Sequence, residues 1–197
     1  MRIVNALQHH ARELAELINL AGEGIPFFLW QSMRENGQSE LDVGERRAAR
    51  NEGSFSFRHA RVCLQPEREE LVAAMSLAYR LPDQIDLAKL SDYPLVVRPL
   101  VELESRVAGS WYINALATFE PYRGRGMAKA LLADAIAQAR ANHCEYCSLI
   151  VSSKNKAALA LYRAMGFDPI DALVAEALPE AEPLGDWLLM SRKIIQH

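Results

Sequence analysis

The chain has 197 residues, half of them hydrophobic, and carries 22 Lys and Arg against 25 Asp and Glu for a net charge of −3. That length and apolar content predict one domain, residues 1–197, with material for a real core. The mild acidity argues against a general nucleic-acid binder, and no apolar run approaches the roughly 20 residues that cross a membrane. Near the N-terminus Gln8, His9, His10, Arg12 and Glu13 interrupt any signal-like run, so the expected location is the cytoplasm. Three cysteines, an odd number, do not make a disulfide framework.

In chain order, residues 1–6 form a short apolar strand. Leu7, Ala11, Leu14, Ile18 and Ala21 then alternate with charges at helical spacing, and Gly22 and Gly24 end that amphipathic helix. His9 and His10 are adjacent, point to different helix faces and read as surface residues. Residues 25–30, Ile-Pro-Phe-Phe-Leu-Trp, are either a core plug joining two helices or an apolar wall of a substrate pocket. Residues 43–51 make a charged helical piece with Arg46, Arg47 and Arg50 on a solvated face. Residues 54–64 alternate as a strand, residues 66–69 turn, and the apolar run 71–81 returns antiparallel to it.

Residues 82–110 form an insertion, read as a substrate lid or a dimer surface. Leu87 and Leu90 mark one short helical turn there, and Leu100, Leu103 and Val107 another. Residues 111–119 are a central strand, with Tyr112, Asn114, Leu116 and Thr118 on one face and Trp111, Ile113, Ala115 and Ala117 on the other. A glycine turn and a helix follow it directly. Residues 145–151 are a buried strand, Asn155 caps a second helix, and Gly166 stands at its C-terminal end. Residues 168–175 and 186–195 are the last strands, separated by an acidic loop with Glu176, Glu180 and Glu182. Cys144 and Cys147 form a lone Cys-x-x-Cys. Zinc would need four ligands and a redox pair a helix start after the first cysteine, so both read as structural, and no metal is expected.

The glycine turn carries the chemistry. Gly124 and Gly126 flank Arg125, and glycine permits positive φ and close approach of a ligand to the backbone. Met127, Leu131, Ala135 and Ala139 follow at a spacing of four, so a helix starts on the turn. No Ser, Thr, Asp or Asn stands in the turn to cap its first amides. Free N–H groups and the positive helix end form an anion site, unless water caps an ordinary strand-to-helix turn. The third glycine of a dinucleotide fingerprint and the Gly-Lys-Ser/Thr of a nucleotide P-loop are both missing.

Arg123-Gly124-Arg125-Gly126-Met127-Ala128 resembles the Gln/Arg-x-x-Gly-x-Gly/Ala signature of the GNAT N-acetyltransferases. Asn155, Ala158, Leu161, Tyr162, Gly166 and Phe167 are similar to the family's Asn-x-x-Ala-x-x-Leu-Tyr-x-x-x-Gly-Phe pattern, in the right order and spacing. The resemblance covers residues 111–167. It implies an α/β fold with a mixed, mostly antiparallel sheet flanked by helices, whose central strand runs parallel to the 146–151 strand and splays from it. It also implies acetyl-CoA as co-substrate and a monomer or homodimer. Arg123, Gly124, Arg125, Gly126, Met127 and Ala128 would cradle its pyrophosphate, Leu116, Ala117 and Thr118 would pair with the pantetheine arm, and Asn155 and Ala158 would touch it from the second helix. Tyr162 would face the departing sulfur as proton donor.

Acetyl transfer to an amine also needs a base. Where some relatives carry a glutamate on the central strand, this chain has Tyr112 and Asn114. Either water held by those residues takes the proton, or Glu102 or Glu104 reaches in from the insertion; Glu120, at the cofactor turn, ranks lower. Phe27, Trp30, Trp111, Tyr112 and Asn114 are the candidate acceptor residues. The expected function is transfer of an acetyl group to the primary amine of a small molecule or a peptide. The alternative is a CoA-binding module without transferase activity.

Overall fold

The computed structural model describes residues 2–68, 70–179 and 183–195. Its elements are β1 (Ile3–Asn5), α1 (Ala11–Ala21), α2 (Ile25–Gln31), α3 (Glu40–Ala48), β2 (Ala60–Leu64), β3 (Val72–Arg80) and α4 (Arg98–Ser105). There follow β4 (Trp111–Thr118), α5 (Met127–Ala141), β5 (Tyr146–Ser152), α6 (Lys156–Ala164), β6 (Asp168–Val174) and β7 (Asp186–Lys193). The strands form one sheet in the order β1-β2-β3-β4-β5-β7-β6. The β1–β2, β2–β3, β5–β7 and β6–β7 ladders are antiparallel. β4 and β5 run parallel, as expected for a chain of this α/β class. Their ladder pairs Trp111 with Cys147, Tyr112 with Ser148 and Ile113 with Leu149.

The chain falls into two compact units, Met1–Tyr79 with Asn114–Asp134, and Arg80–Ile113 with Ala135–His197. In the first, Leu14, Leu17 and Ile18 of α1, Val43 of α3, Val62, Met75 and Leu77 share one core with Ala115 and Ala117 of β4. Each large side chain there is almost wholly buried, which stabilises the fold by roughly 1.5–3 kcal/mol apiece. Leu116, between the two alanines, joins Cys63, Ala73 and Ala74 against Met127 and Leu131 of α5. The predicted alternation along this part of β4 is therefore present. In the second unit α4 packs on β6 and β7, and Leu103, Leu149, Phe167 and Leu189 are fully buried.

Several local expectations shift. The strand expected over residues 54–64 begins only at Ala60. Ahead of it Ser56 donates to the Arg50 carbonyl (2.5 Å) and accepts from the Arg58 amide (3.2 Å), and this local bonding holds Phe57–His59 in a 3₁₀ turn. The charged helix begins at Glu40, because Ser39 and Asp42 make a reciprocal capping box. Arg47 is not solvated: it is half-buried over the Phe55 ring at 5.6 Å. His10 is likewise buried, its ring nitrogen accepting from the Leu7 amide at 3.0 Å. The insertion contains 3₁₀ turns at Leu87–Asp92 and Leu95–Val97 before α4. Glu180 and Glu182 lie outside the described residues.

Candidate active site

In the first unit the turn after β4 is built from backbone. Pro121 sets a 3₁₀ turn at Glu120–Tyr122, and Gly124 and Gly126 take φ of +74° and +79°. A Cβ at either glycine would meet nothing within 4 Å, so their requirement is conformation and open space, not packing. The α5 ladder begins with Ala130 donating to the Gly126 carbonyl (3.0 Å). The amides ahead of it have no place in that ladder. Arg123 and Arg125 are exposed. Arg123 donates to the Thr118 carbonyl (3.3 Å) and ties the turn to the end of β4. The Arg125 guanidinium lies over Tyr122 at 5.3 Å, and the Tyr122 hydroxyl donates to Gln65 (2.8 Å).

Met127 is buried in the core, so only its backbone remains for a ligand. Ala128 is half-buried. The Thr118 hydroxyl is buried without a partner among the described residues. This open backbone cradle, flanked by two cations, fits a polyphosphate. Of the acceptor candidates in this unit, Asn114 donates to the Tyr79 hydroxyl (2.9 Å). Trp30 is 2% exposed within the core. The close packing leaves no room for a side chain at Gly44, whose Cβ would lie 2.2 Å from the indole. Phe27 packs against that core, with its ring 5.7 Å from Trp30. Of the two readings of this aromatic segment, Trp30 takes the core plug.

The second unit holds the tyrosine. The Asn155 side chain caps α6, accepting from the Ala158 amide at 3.1 Å. At the other end Gly166 (φ +80°) donates to Arg163, and Phe167 donates to the Tyr162 carbonyl, both at 3.0 Å. These two bonds are a Schellman cap, and the Phe167 ring packs 6.2 Å from Tyr162 to complete it. The spacing Tyr-x-x-x-Gly-Phe is thus the spacing of a helix terminus that fixes its tyrosine. Burial pushes the Tyr162 pKa up to about 12, so the hydroxyl keeps its proton at neutral pH. Ala158 is half-buried, and Leu159, three residues before Tyr162, is buried as well.

Trp111 and Tyr112 are buried at the start of β4. The Trp111 indole N–H has no partner among the described residues. Tyr112 donates its hydroxyl to Glu104 of α4, and burial raises the Glu104 pKa to about 7. Glu102, the other carboxylate considered, is held by Arg106 at 2.7 Å, and Arg106 also pairs with Asp171. The sequence did carry a signal for Glu104. It sits four residues after Leu100 and three before Val107, inside the apolar stripe of α4.

Cys63, Cys144 and Cys147 are free and buried. Burial raises all three thiols, Cys147 to about 12, which disfavours the reactive thiolate. Among the described residues no three His, Cys, Asp or Glu gather to hold a metal, and no helix is long and apolar enough to cross a membrane.

Residues 30–167 match the acetyltransferase (GNAT) family. The chain belongs to the GNAT acetyltransferase family. Two relatives are 45% identical to it over 56 residues, the N-alpha-acetyltransferase MAK3 of Arabidopsis thaliana and N-alpha-acetyltransferase 30 of Saccharomyces cerevisiae. Each match covers 28% of this chain and 30% or 32% of the relative, so less than a third of the relatives' length is spanned. A GNAT-superfamily phosphinothricin acetyltransferase (Pat) from Sinorhizobium meliloti, solved in complex with AcCoA, shares the fold. The TM-score is 0.62 at 16% identity, over 98% of this chain and 88% of that one.

Proposed function

We propose that this protein is an N-acetyltransferase that moves the acetyl group of acetyl-CoA directly to a primary amine. The observation that carries the reading is the turn at Gly124 and Gly126, open around both glycines, at the start of α5 and beside two exposed arginines. Acetyl-CoA supplies the activated acyl group as a thioester. In this reading Arg123, Arg125 and the amides of residues 124–128 bind its phosphates, and the backbone of Leu116, Ala117 and Thr118 pairs with the pantetheine arm. Asn155 and Ala158 contribute from α6. Tyr162, kept protonated by its burial, gives its proton to the leaving sulfur. Both units belong to one catalytic domain, working as a monomer or homodimer.

The acceptor we favour is the α-amine of a peptide. The two relatives named for that chemistry support it. The aromatic segment read as a possible wall of the acceptor pocket has Trp30 committed to the core. CoA release would be followed with acetyl-CoA against peptides of varied N-terminal sequence, polyamines, amino acids and aminoglycosides. Turnover on peptides is expected. Turnover on small amines alone would move the acceptor class. Tight acetyl-CoA binding without turnover on any amine would make the chain a CoA-binding module, and no binding would overturn the reading of the turn.

A further inference from the structure

The family reading leaves the base unassigned, because β4 has Tyr112 and Asn114 where a carboxylate could stand. Of the five groups considered for the role, Glu120 stands exposed at the cofactor turn, and three others are committed. Glu102 is paired with Arg106. Asn114 donates to Tyr79, and its amide has no basic site to take a proton. Tyr112 spends its proton on Glu104. Glu104 differs from all of these.

It lies on the apolar stripe of α4, between the buried Val101 and Val107, and its side chain reaches from the insertion to the central strand. Tyr112 is itself fixed there: the parallel ladder pairs it with Ser148, and the buried Ser110 and Ser148 hydroxyls bond at 2.6 Å just before it. A carboxylate has two oxygens with several acceptor sites, so one bond from Tyr112 orients Glu104 without saturating it. Glu104 also keeps some exposure, which leaves a route for a proton to enter and leave.

We infer that Glu104 is the catalytic base of the transferase, with Tyr112 as its positioning residue. The inference rests on the acetyltransferase reading. The acceptor ammonium gives a proton to a Glu104 oxygen: an N–H bond breaks and an O–H bond forms. The freed nitrogen lone pair attacks the thioester carbon, the C–S bond breaks, the sulfur takes the Tyr162 proton, and the second proton shed by the acylated nitrogen returns through water to the Tyr162 oxygen. Glu104 then returns its proton to water. Its ordinary carboxylate pKa would make it a weak base at neutral pH, and burial corrects that, bringing it to about 7, near the value that serves general-base catalysis best. The residue's environment has two influences, burial and the Tyr112 hydroxyl. The charged residues of the elements packed on α4 (Lys89 and Asp92 from the 3₁₀ turn, Asp168 and Asp171 from β6, Asp186, Arg192 and Lys193 from β7) are not among those influences. Asp171 is neutralised by Arg106, and Arg192 is bound to the Met165 carbonyl.

The test is the pH dependence of kcat/KM for wild type, E104Q and Y112F, with two acceptors whose amines differ in pKa, beside acetyl-CoA binding by calorimetry. An acid limb belonging to the acceptor moves with the acceptor, and one belonging to Glu104 does not. In the wild type a fixed limb near pH 7 is expected. E104Q is expected to lose that limb and about 100-fold or more in kcat, with acetyl-CoA affinity within threefold. Y112F, which removes the bond favouring the charged carboxylate, moves the limb to higher pH. If E104Q does not fold, Y112F decides: a limb that stays in place overturns the assignment. An E104Q enzyme within threefold of wild type and with its limb intact overturns it too, and leaves the transferase reading standing. A wild type that binds no acetyl-CoA overturns both.

Discussion

In the proposed reaction the glycine turn and the side chains of Tyr162 and Glu104 do different work with different materials. The turn is exposed, and its recognition groups are backbone amides and two arginines at the surface. It holds a shape through positive φ at Gly124 and Gly126. Tyr162 is buried and Glu104 half-buried, and the loss of water raises the pKa of both side chains. Exposed charge is screened and contributes modestly, which suits the reversible holding of a polyanion. Chemistry that moves protons needs pKa values displaced from their ordinary range, and burial is the means. On the proposed roles, affinity and turnover should separate on mutation, because the turn and the two side chains belong to different compact units.

The largest separation is expected from Tyr162→Phe. Loss of the proposed proton donor should lower kcat by about 10²–10³-fold with acetyl-CoA affinity within a few-fold, read by steady-state kinetics and calorimetry. A weakened affinity at unchanged kcat would break the division of labour. Next comes the pH dependence of stability. Glu104 has its folded pKa raised from 4.5 to about 7, so between those values the folded chain holds a proton that the unfolded chain has released. Its contribution is fully present below about pH 4.5, is lost as pH rises to about 7, and is on the order of 3 kcal/mol. Chemical denaturation across pH 5–8 should show this slope in wild type and lose it in E104Q.

Smaller effects sharpen the comparison. Gly166→Ala puts a Cβ on a residue at φ +80°, with only ordinary contacts to Arg192 at 3.7 Å. The backbone penalty of about 1–2 kcal/mol should lower Tm by several degrees and also reduce kcat, since the Schellman cap positions Tyr162. Gly126→Ala carries a similar penalty in open space. Its main readout should be acetyl-CoA affinity, weakened about tenfold, with kcat nearly unchanged. If Gly126→Ala instead lowers kcat as strongly as Gly166→Ala, the two regions act as one.

Legibility followed the same line. The turn could be read at once, because the only residue that takes φ near +75° without strain is glycine, and two of them stand between a strand and a helix. The Asn155 cap and the Gly166 terminus were legible for a related reason: each satisfies its own neighbours' backbone within one helical turn. The strand expected over residues 54–59 was not, since Ser56 could bond either to a neighbouring strand's surroundings or back to Arg50 and Arg58, and spacing does not choose. Trp30 was ambiguous because an aromatic in a short apolar run serves a core and a pocket equally well. Only the packing of α2 and α3 settles it.

The sequence by itself determined the elements whose causes are local: the glycine turn, the two helix caps, the alternation along β4 and the apolar stripes. Such features depend on backbone sterics and on partners a few residues away. Tertiary structure decided what distant segments do to one another. It brought Glu104 to Tyr112, joined Arg106 to Asp171, and assigned Trp30 to the core. The reason is physical. A carboxylate's role depends on how much water it has lost and on which hydroxyl faces it, and both are set by segments the chain brings together only on folding.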